Sequence, residues 1–98
     1  IMIEKKITII NNAGLHTRPA ATIVKIAAKY SSEFFFNKDG FNINGKSIIG
    51  VMTLAAAKGS SLTLTFEGED EKEMAEAIID YFNRGFDELW LILKAIMF

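Results

Sequence analysis

Ser61-Leu62-Thr63-Leu64-Thr65-Phe66-Glu67-Gly68-Glu69-Asp70-Glu71-Lys72-Glu73-Met74-Ala75-Glu76-Ala77-Ile78-Ile79-Asp80-Tyr81-Phe82 changes its hydrophobic period halfway along. Leu62, Leu64 and Phe66 alternate with Thr63, Thr65 and Glu67, the pattern of a strand with one covered and one wet face. Beyond the glycine, Met74, Ala77, Ile78, Tyr81 and Phe82 recur at helical spacing, and Asp70 with Glu73 suits a capped helix start. A helix with a single apolar stripe needs a sheet face to bury it, so this segment predicts strand and helix packed as two layers.

The same signals extend in both directions. Ile3, Ile7 and Ile9 alternate with Glu4, Lys6 and Thr8, predicting a strand over residues 3–10 that ends at Asn11-Asn12-Ala13-Gly14. Ala20, Ile23, Val24 and Ala27 then carry a helix to about Tyr30. Pro19, the one proline, falls in its first turn, where a missing N–H has no helical acceptor to lose. Glu33 to Asn37 and Phe41 to Ile43 read as a hairpin around Asn37-Lys38-Asp39-Gly40. Ser47 heads a two-turn helix over residues 48–54, and the helix after Asp70 stops near Gly85. The order βαββαβα predicts an α+β open-faced sandwich, a four-stranded antiparallel sheet with three helices on one face. Which strands are neighbours is not readable from spacing.

Ninety-eight residues make one domain, and half of them are hydrophobic, enough to build a core. Eleven basic against twelve acidic residues leave a net charge of -1, which argues against nucleic acid as a partner. The absence of cysteine excludes disulfides, a thiol nucleophile and a thiolate metal site, and points to a reducing, cytoplasmic setting. The first ten residues carry no apolar run suited to a signal peptide. Residues 89–98 fall well short of the roughly 20 that span a bilayer. Ile1, standing before Met2, is given no role.

His16, the only histidine, lies between the Gly14 turn and the first turn of the first helix. Free backbone N–H groups and the positive end of the helix dipole there favour a negative group on the ring, such as a phosphoryl group. Arg18, two residues on, has the fork geometry that binds phosphate oxygens. On the residues alone the blander reading, a surface capping histidine and a solvated arginine, stands ahead of the chemical one. No second histidine or cysteine joins His16 in a metal site, and no Gly-x-Ser-x-Gly segment supports a hydrolase. Ser47 reads either as a helix cap or as a phosphorylation site beside Ile48, Ile49 and Met52. The latter makes a switchable binding surface if Ile49 or Met52 faces water.

Gly14-Leu15-His16-Thr17-Arg18-Pro19-Ala20 and Lys46-Ser47-Ile48-Ile49-Gly50-Val51-Met52 resemble the two signature segments of HPr, the histidine-containing phosphocarrier family of the bacterial phosphoenolpyruvate-dependent sugar phosphotransferase system. The resemblance covers residues 3–86. It implies phosphorylation of His16 at Nδ1 by Enzyme I, using phosphoenolpyruvate, and onward transfer to sugar-specific IIA domains. Such a protein is a carrier rather than an enzyme and needs neither cofactor nor metal. Arg18 and the backbone N–H groups of Thr17 and Arg18 are implied to hold the phosphoryl oxygens. The resemblance further implies regulatory phosphorylation of Ser47 by an HPr kinase, with binding to a transcriptional regulator. It places partner docking on Ala20, Ile48, Ile49 and Met52.

The chain departs from this pattern after the third helix. Residues 1–88 are assigned to the HPr-like domain and residues 89–98 to an apolar extension with Lys94 as its only charge. That extension is expected to continue the third helix onto the core, to form a self-association surface, or to lie in a membrane interface. Self-association is the favoured expectation. Asn83-Arg84-Gly85-Phe86-Asp87-Glu88 also resembles the end of the nitrogen-branch relatives, so a nitrogen-branch or purely regulatory paralogue is the second reading. Regulatory relatives lacking the active histidine are disfavoured by His16 itself. A non-catalytic binding module built on Ile48, Ile49, Met52 and the apolar extension is the third.

Overall fold

The computed structural model describes residues 2–97, excepting the side chains of Leu89 and Trp90. Ile1 and Phe98, one given no role and the other the end of the apolar extension, lie outside the described residues. Four strands, β1 (Ile3–Thr8), β2 (Glu33–Lys38), β3 (Phe41–Asn44) and β4 (Ser61–Glu67), alternate with helices α1 (Thr17–Ala27), α2 (Ile48–Thr53) and α3 (Glu71–Asn83). A further helix, α4 (Glu88–Met97), follows a 3-10 turn at Gly85–Asp87.

The strands form one antiparallel sheet in the order β1-β4-β2-β3. β4 is therefore central although it enters last, pairing Phe66 with Phe34, Leu64 with Phe36 and Leu62 with Ile7. The inward positions Ile7, Phe34, Phe36, Leu62, Leu64 and Phe66 are buried beneath the helices, while Glu4, Lys6, Thr8 and Glu67 remain in water. Phe34 stacks on Phe66 at 4.8 Å, adding an aromatic contact to the area the two rings bury. The β2–β3 hairpin turns through Asp39 (φ 52°) and Gly40 (φ 84°). This is the left-handed pair that a two-residue turn between twisted strands demands, and an Asp-Gly sequence supplies it at low cost.

Helix stripes cover the inner face of the sheet. α1 buries Pro19, Ala20, Ile23 and Ala27, and α3 buries Met74, Ala75, Ile78, Tyr81 and Phe82. α2 is anchored by Val51, its one fully buried residue. The four-stranded open-faced sandwich thus has the expected layers.

Three local expectations change. α1 ends at Ala27 rather than near Tyr30. Lys46 Nζ donates to the Tyr30 carbonyl at 2.7 Å, and the Asp70 carboxylate accepts from the Ser31 and Ser32 N–H groups at 3.0 and 2.9 Å, so the chain is drawn out of the helix there. Asp70 accordingly makes no side-chain cap at α3 and instead ties that helix start to the end of α1, also accepting from the Ser32 hydroxyl. Ala20, expected on the docking surface, is fully buried in the core, because it follows Pro19 on the inner stripe of α1.

The apolar extension does not prolong α3. The helix breaks at Gly85 (φ 60°), and Phe86 follows with φ 59°, a left-handed conformation that costs a bulky residue energy. Burial holds it: the Phe86 ring lies 5.2 Å from Tyr81 and 5.0 Å from Phe82, sealed in the core. The redirected chain then leaves as a separate helix, on which Leu91, Ile92, Leu93, Ile96 and Met97 are exposed.

Candidate functional site

His16 is the residue immediately before α1, held there by local backbone bonds. The Leu15 N–H donates to the Ala56 carbonyl at 2.8 Å, and the Ala20 N–H donates to the His16 carbonyl at 3.0 Å. No side chain caps the helix, and Pro19 has no N–H. The N–H groups of Thr17 and Arg18 are therefore the first-turn donors left for an anion beside the ring.

The ring itself is engaged. His16 Nε2 stands 2.5 Å from Glu88 Oε2, which also accepts from Arg18 Nη2 at 2.9 Å. The other Glu88 oxygen accepts from Asn11 Nδ2 at 2.5 Å, and the second hydrogen of that amide goes to the Gly14 carbonyl at 2.8 Å. One carboxylate thus joins the turn after β1, the start of α1 and the start of α4. Its side chain is 15 % exposed, against 38 % for His16 and 49 % for Arg18, so the acid lies beneath the two basic groups. Burial alone pushes the Glu88 carboxyl pKa up. The hydrogen bonds from Asn11, His16 and Arg18 and the charge of His16 outweigh it and bring it below its ordinary value of 4.5.

Among the described residues nothing hydrogen-bonds His16 Nδ1. The partly exposed ring stands at a helix start whose first N–H groups no side chain caps, with the Arg18 guanidinium on the same carboxylate, and such an ensemble can take up a compact dianion. A shallow groove of about 360 Å³ begins at Arg18 and Glu88 and runs between Asn12, Ala13 and the α4 residues Leu91, Ile92 and Ala95. Among the described residues no group of three or more His, Cys, Asp or Glu side chains is placed to hold a metal ion. No helix among them is long and apolar enough to cross a membrane.

The second expected segment lies on the same helical layer. Ser47 precedes α2 and its hydroxyl accepts from the Gly50 N–H at 3.2 Å, so the cap is formed. Ile48, Ile49 and Met52 are exposed, Ile49 the most at 74 %, while Val51 between them is buried. The condition for a surface patch at Ser47, that Ile49 or Met52 face water, is met.

Asn11 and Glu88 are the site residues that the sequence reading passed over. In the sequence Asn11 reads as turn chemistry and Glu88 as the edge of the domain. The one available signal was the segment Asn83 to Glu88, which departs from a helix end by placing a carboxylate after a glycine break.

The comparisons with known proteins bear on the family and the fold. A family model described as the PTS HPr component phosphorylation site matches residues 3–84. The chain is similar to the HPr-like protein Crh of Halalkalibacterium halodurans, 45 % identical over 85 % of this chain and 99 % of that protein. It is also similar to the phosphocarrier protein HPr of Treponema pallidum, 42 % identical over 89 % of this chain and 99 % of the relative. Among solved structures, HPr-C-His from Thermoanaerobacter tengcongensis superposes with a TM-score of 0.84 and 42 % identity, covering 88 % of this chain and 97 % of its own.

Proposed function

The chain belongs to the HPr family of the bacterial phosphotransferase system, and from that premise we propose that His16 accepts a phosphoryl group on Nδ1 from Enzyme I, ultimately from phosphoenolpyruvate, and passes it to sugar-specific IIA domains. The observation that carries this reading is the setting of the ring. Its Nε2 is engaged, no hydrogen bond among the described residues occupies Nδ1, and the ring stands at a helix start that no side chain caps, with Arg18 on the same carboxylate. Phosphate on an imidazole nitrogen has a good leaving group, so transfer to another imidazole is nearly balanced in energy. Positioning then supplies most of the rate. The Thr17 and Arg18 N–H groups and the Arg18 guanidinium hold the oxygens whose charge is redistributed as phosphorus moves.

Partners in this proposal dock over the exposed Ile48, Ile49 and Met52 of α2, beside the start of α1. A small, partly apolar contact gives the weak and rapidly exchanging complexes that a shared carrier needs. Phosphorylation of Ser47 by an HPr kinase places roughly two negative charges at that surface, weakening Enzyme I docking and favouring a transcriptional regulator. The proposal places the protein in the cytoplasm, without nucleic acid as a partner, and gives the exposed apolar face of α4 to self-association.

A nitrogen-branch or purely regulatory carrier is the second reading, supported by the similarity to a Crh-like protein and by the segment ending at Glu88. Both readings use His16 and differ in acceptors. The deciding experiment incubates the protein and His16→Ala with active Enzyme I and phosphoenolpyruvate, followed by phosphorus NMR and by addition of sugar-type or nitrogen-type IIA domains. One acid-labile phosphoryl group on Nδ1, absent from the variant and discharged by a sugar IIA, supports the first reading. Discharge only to a nitrogen-type IIA supports the second, and failure to phosphorylate the wild type rejects both.

A further inference from the structure

We propose that α4 pairs antiparallel with the α4 of a second copy of this chain along the groove beside His16, so that the paired form withholds the histidine from phosphotransfer and phosphorylation of His16 separates the copies. The pairing stands on α4 alone, and its effect on transfer rests on the phosphocarrier reading.

α4 has the wrong composition for an isolated arm. Every residue from Leu91 to Met97 is exposed, and Lys94 is the one charge among them. A helix that is apolar around its circumference is stable when something covers it. Leu91, Ile92 and Ala95 share one side of α4 with Glu88, at spacings of three, four and seven residues, and these three form the wall of the groove that begins at Arg18 and Glu88. A helix seated there meets an apolar wall and, at one end, the two charged side chains beside the ring.

The charges of α4 select the occupant and its direction. Glu88 stands at one end of the helix and Lys94 near the other. Two copies lying parallel bring like charges level with each other. An antiparallel pair sets each Lys94 toward the Glu88 end of the other copy and opposes the two helix dipoles. Its two-fold axis crosses α4 near Leu91 and Ile92, so one stripe meets itself, as a closed dimer requires. Five large apolar side chains of α4, each about half exposed, leave on the order of 500 Å² of apolar surface on each protomer, and the two together give about 1,000 Å², near the lower limit for specific association. The dimer is accordingly weak and responds to changes at its edge.

His16 lies at that edge. Glu88 touches the ring at 2.5 Å and lines the groove together with Arg18. A specific partner covers about 800 Å² of each protein, a disc reaching roughly 16 Å from its centre, so a phosphoryl donor centred on His16 and a second copy in the groove claim the same ground. Antiparallel pairing also lays the last turn of one α4, with the exposed Ile96 and Met97, over the Arg18 end of the other copy. A phosphoryl group on the ring brings about two negative charges to that end, where apolar side chains cannot solvate them. By linkage, phosphorylation weakens pairing by the same factor by which pairing lowers the equilibrium level of phosphorylation.

Sedimentation of the unphosphorylated wild type across a wide concentration range is expected to show a dimer forming, and Ile92→Lys is expected to remain a monomer. Ile92→Cys, in a chain with no native cysteine, is expected to cross-link into a dimer on oxidation, whereas Met97→Cys, displaced from the two-fold axis, is expected not to. His16 is the only histidine, so its ring signals in proton NMR are unambiguous; they are expected to shift with concentration in the wild type and to stay fixed in Ile92→Lys. With Enzyme I and phosphoenolpyruvate, the phosphorylation rate per molecule is expected to fall several-fold further with concentration in the wild type than in Ile92→Lys. Phosphorylated wild type is expected to need a roughly tenfold higher concentration to pair. A monomeric wild type at every concentration overturns the proposal, as does a dimer that cross-links through Met97→Cys but not Ile92→Cys, or one whose formation leaves the His16 signals and the phosphorylation rate unmoved. Binding of a monomeric wild type to anionic vesicles overturns it in favour of a membrane surface. Failure of monomeric protein to accept phosphate instead rejects the carrier reading, and the mass, cross-link and ring signals still decide the pairing.

Discussion

Arg18 and Glu88, far apart in the sequence, meet in an ion pair of 2.9 Å between Nη2 and Oε2. The pair holds the guanidinium beside His16 before any phosphate is present, and the remaining N–H donors of the arginine are left to turn toward the phosphoryl oxygens. Arg18→Ala is expected to slow phosphorylation of His16 by roughly ten- to a hundredfold, the scale of losing one charged donor at a reacting group. Because Arg18 is half-exposed, its contribution to stability is expected to be under about 1 kcal/mol. Time courses with Enzyme I and urea melts measure the two effects. Equal rates for both proteins remove Arg18 from the mechanism.

Val51 and Ile49 separate folding from docking on the same short helix. Val51 is fully buried and Ile49 is 74 % exposed, although two residues separate them in sequence. Val51→Ala is expected to cost about 1–3 kcal/mol through lost burial and an unfilled space in the core. Ile49→Ala is expected to leave stability within about 0.5 kcal/mol while weakening Enzyme I binding. Denaturant midpoints and titration calorimetry test this pair, and undiminished Enzyme I affinity in Ile49→Ala takes that residue out of the docking surface.

Acid should loosen the link between the start of α3 and the Ser31-Ser32 segment that follows α1. The Ser32 hydroxyl, followed by the Ser31 N–H, holds the Asp70 carboxyl at about 2 against an ordinary 3.8. A carboxyl whose pKa is depressed by folding gives stability that is fully present above the ordinary value and is lost as pH falls through the folded one. The loss is therefore expected between about pH 4 and pH 2. Glu88, also lowered from 4.5, adds to it in the same direction. Denaturant melts from pH 5 downward are expected to show a steeper fall for the wild type than for Asp70→Asn, and parallel profiles reject the assignment.

The layers of this fold were legible because their signals are local. The alternation at Leu62, Leu64 and Phe66 and the Asp39-Gly40 turn each depend on neighbours within a few residues. The place of β4 between β1 and β2 was not legible, since pairing Ile7 with Leu62 is a long-range choice that alternation leaves open. At the site, the place of His16 and Arg18 before a proline-marked helix start was a weak signal that left the blander reading ahead, and the resemblance of Gly14 to Ala20 to a family signature singled them out. Glu88 was not singled out, because its contact with His16 depends on Phe86 adopting a left-handed conformation, which propensity disfavours and burial enforces. Ala20 was misplaced for the converse reason: its signature segment says which residues accompany the histidine, and the stripe through Ile23 and Ala27 decides which way each one faces.

Helix α4 yields the last prediction. Leu91, Ile92, Leu93, Ile96 and Met97 are all exposed on it, and Lys94 is its only basic residue, so its composition suits contact with another apolar face better than attraction to an anionic lipid surface. The break at Gly85–Phe86 matters here, for a straight continuation of α3 would have kept the core helix and the apolar helix on one axis. The protein is expected to show a mass by light scattering that rises with concentration. Replacing two exposed residues together, Ile96→Lys and Met97→Lys, is expected to restore the monomer while leaving His16 phosphorylation intact, since both lie far along α4 from Glu88. A concentration-independent monomeric mass in the wild type rejects self-association through α4, and binding of the wild type to anionic vesicles, lost in the double variant, assigns the face to a membrane surface.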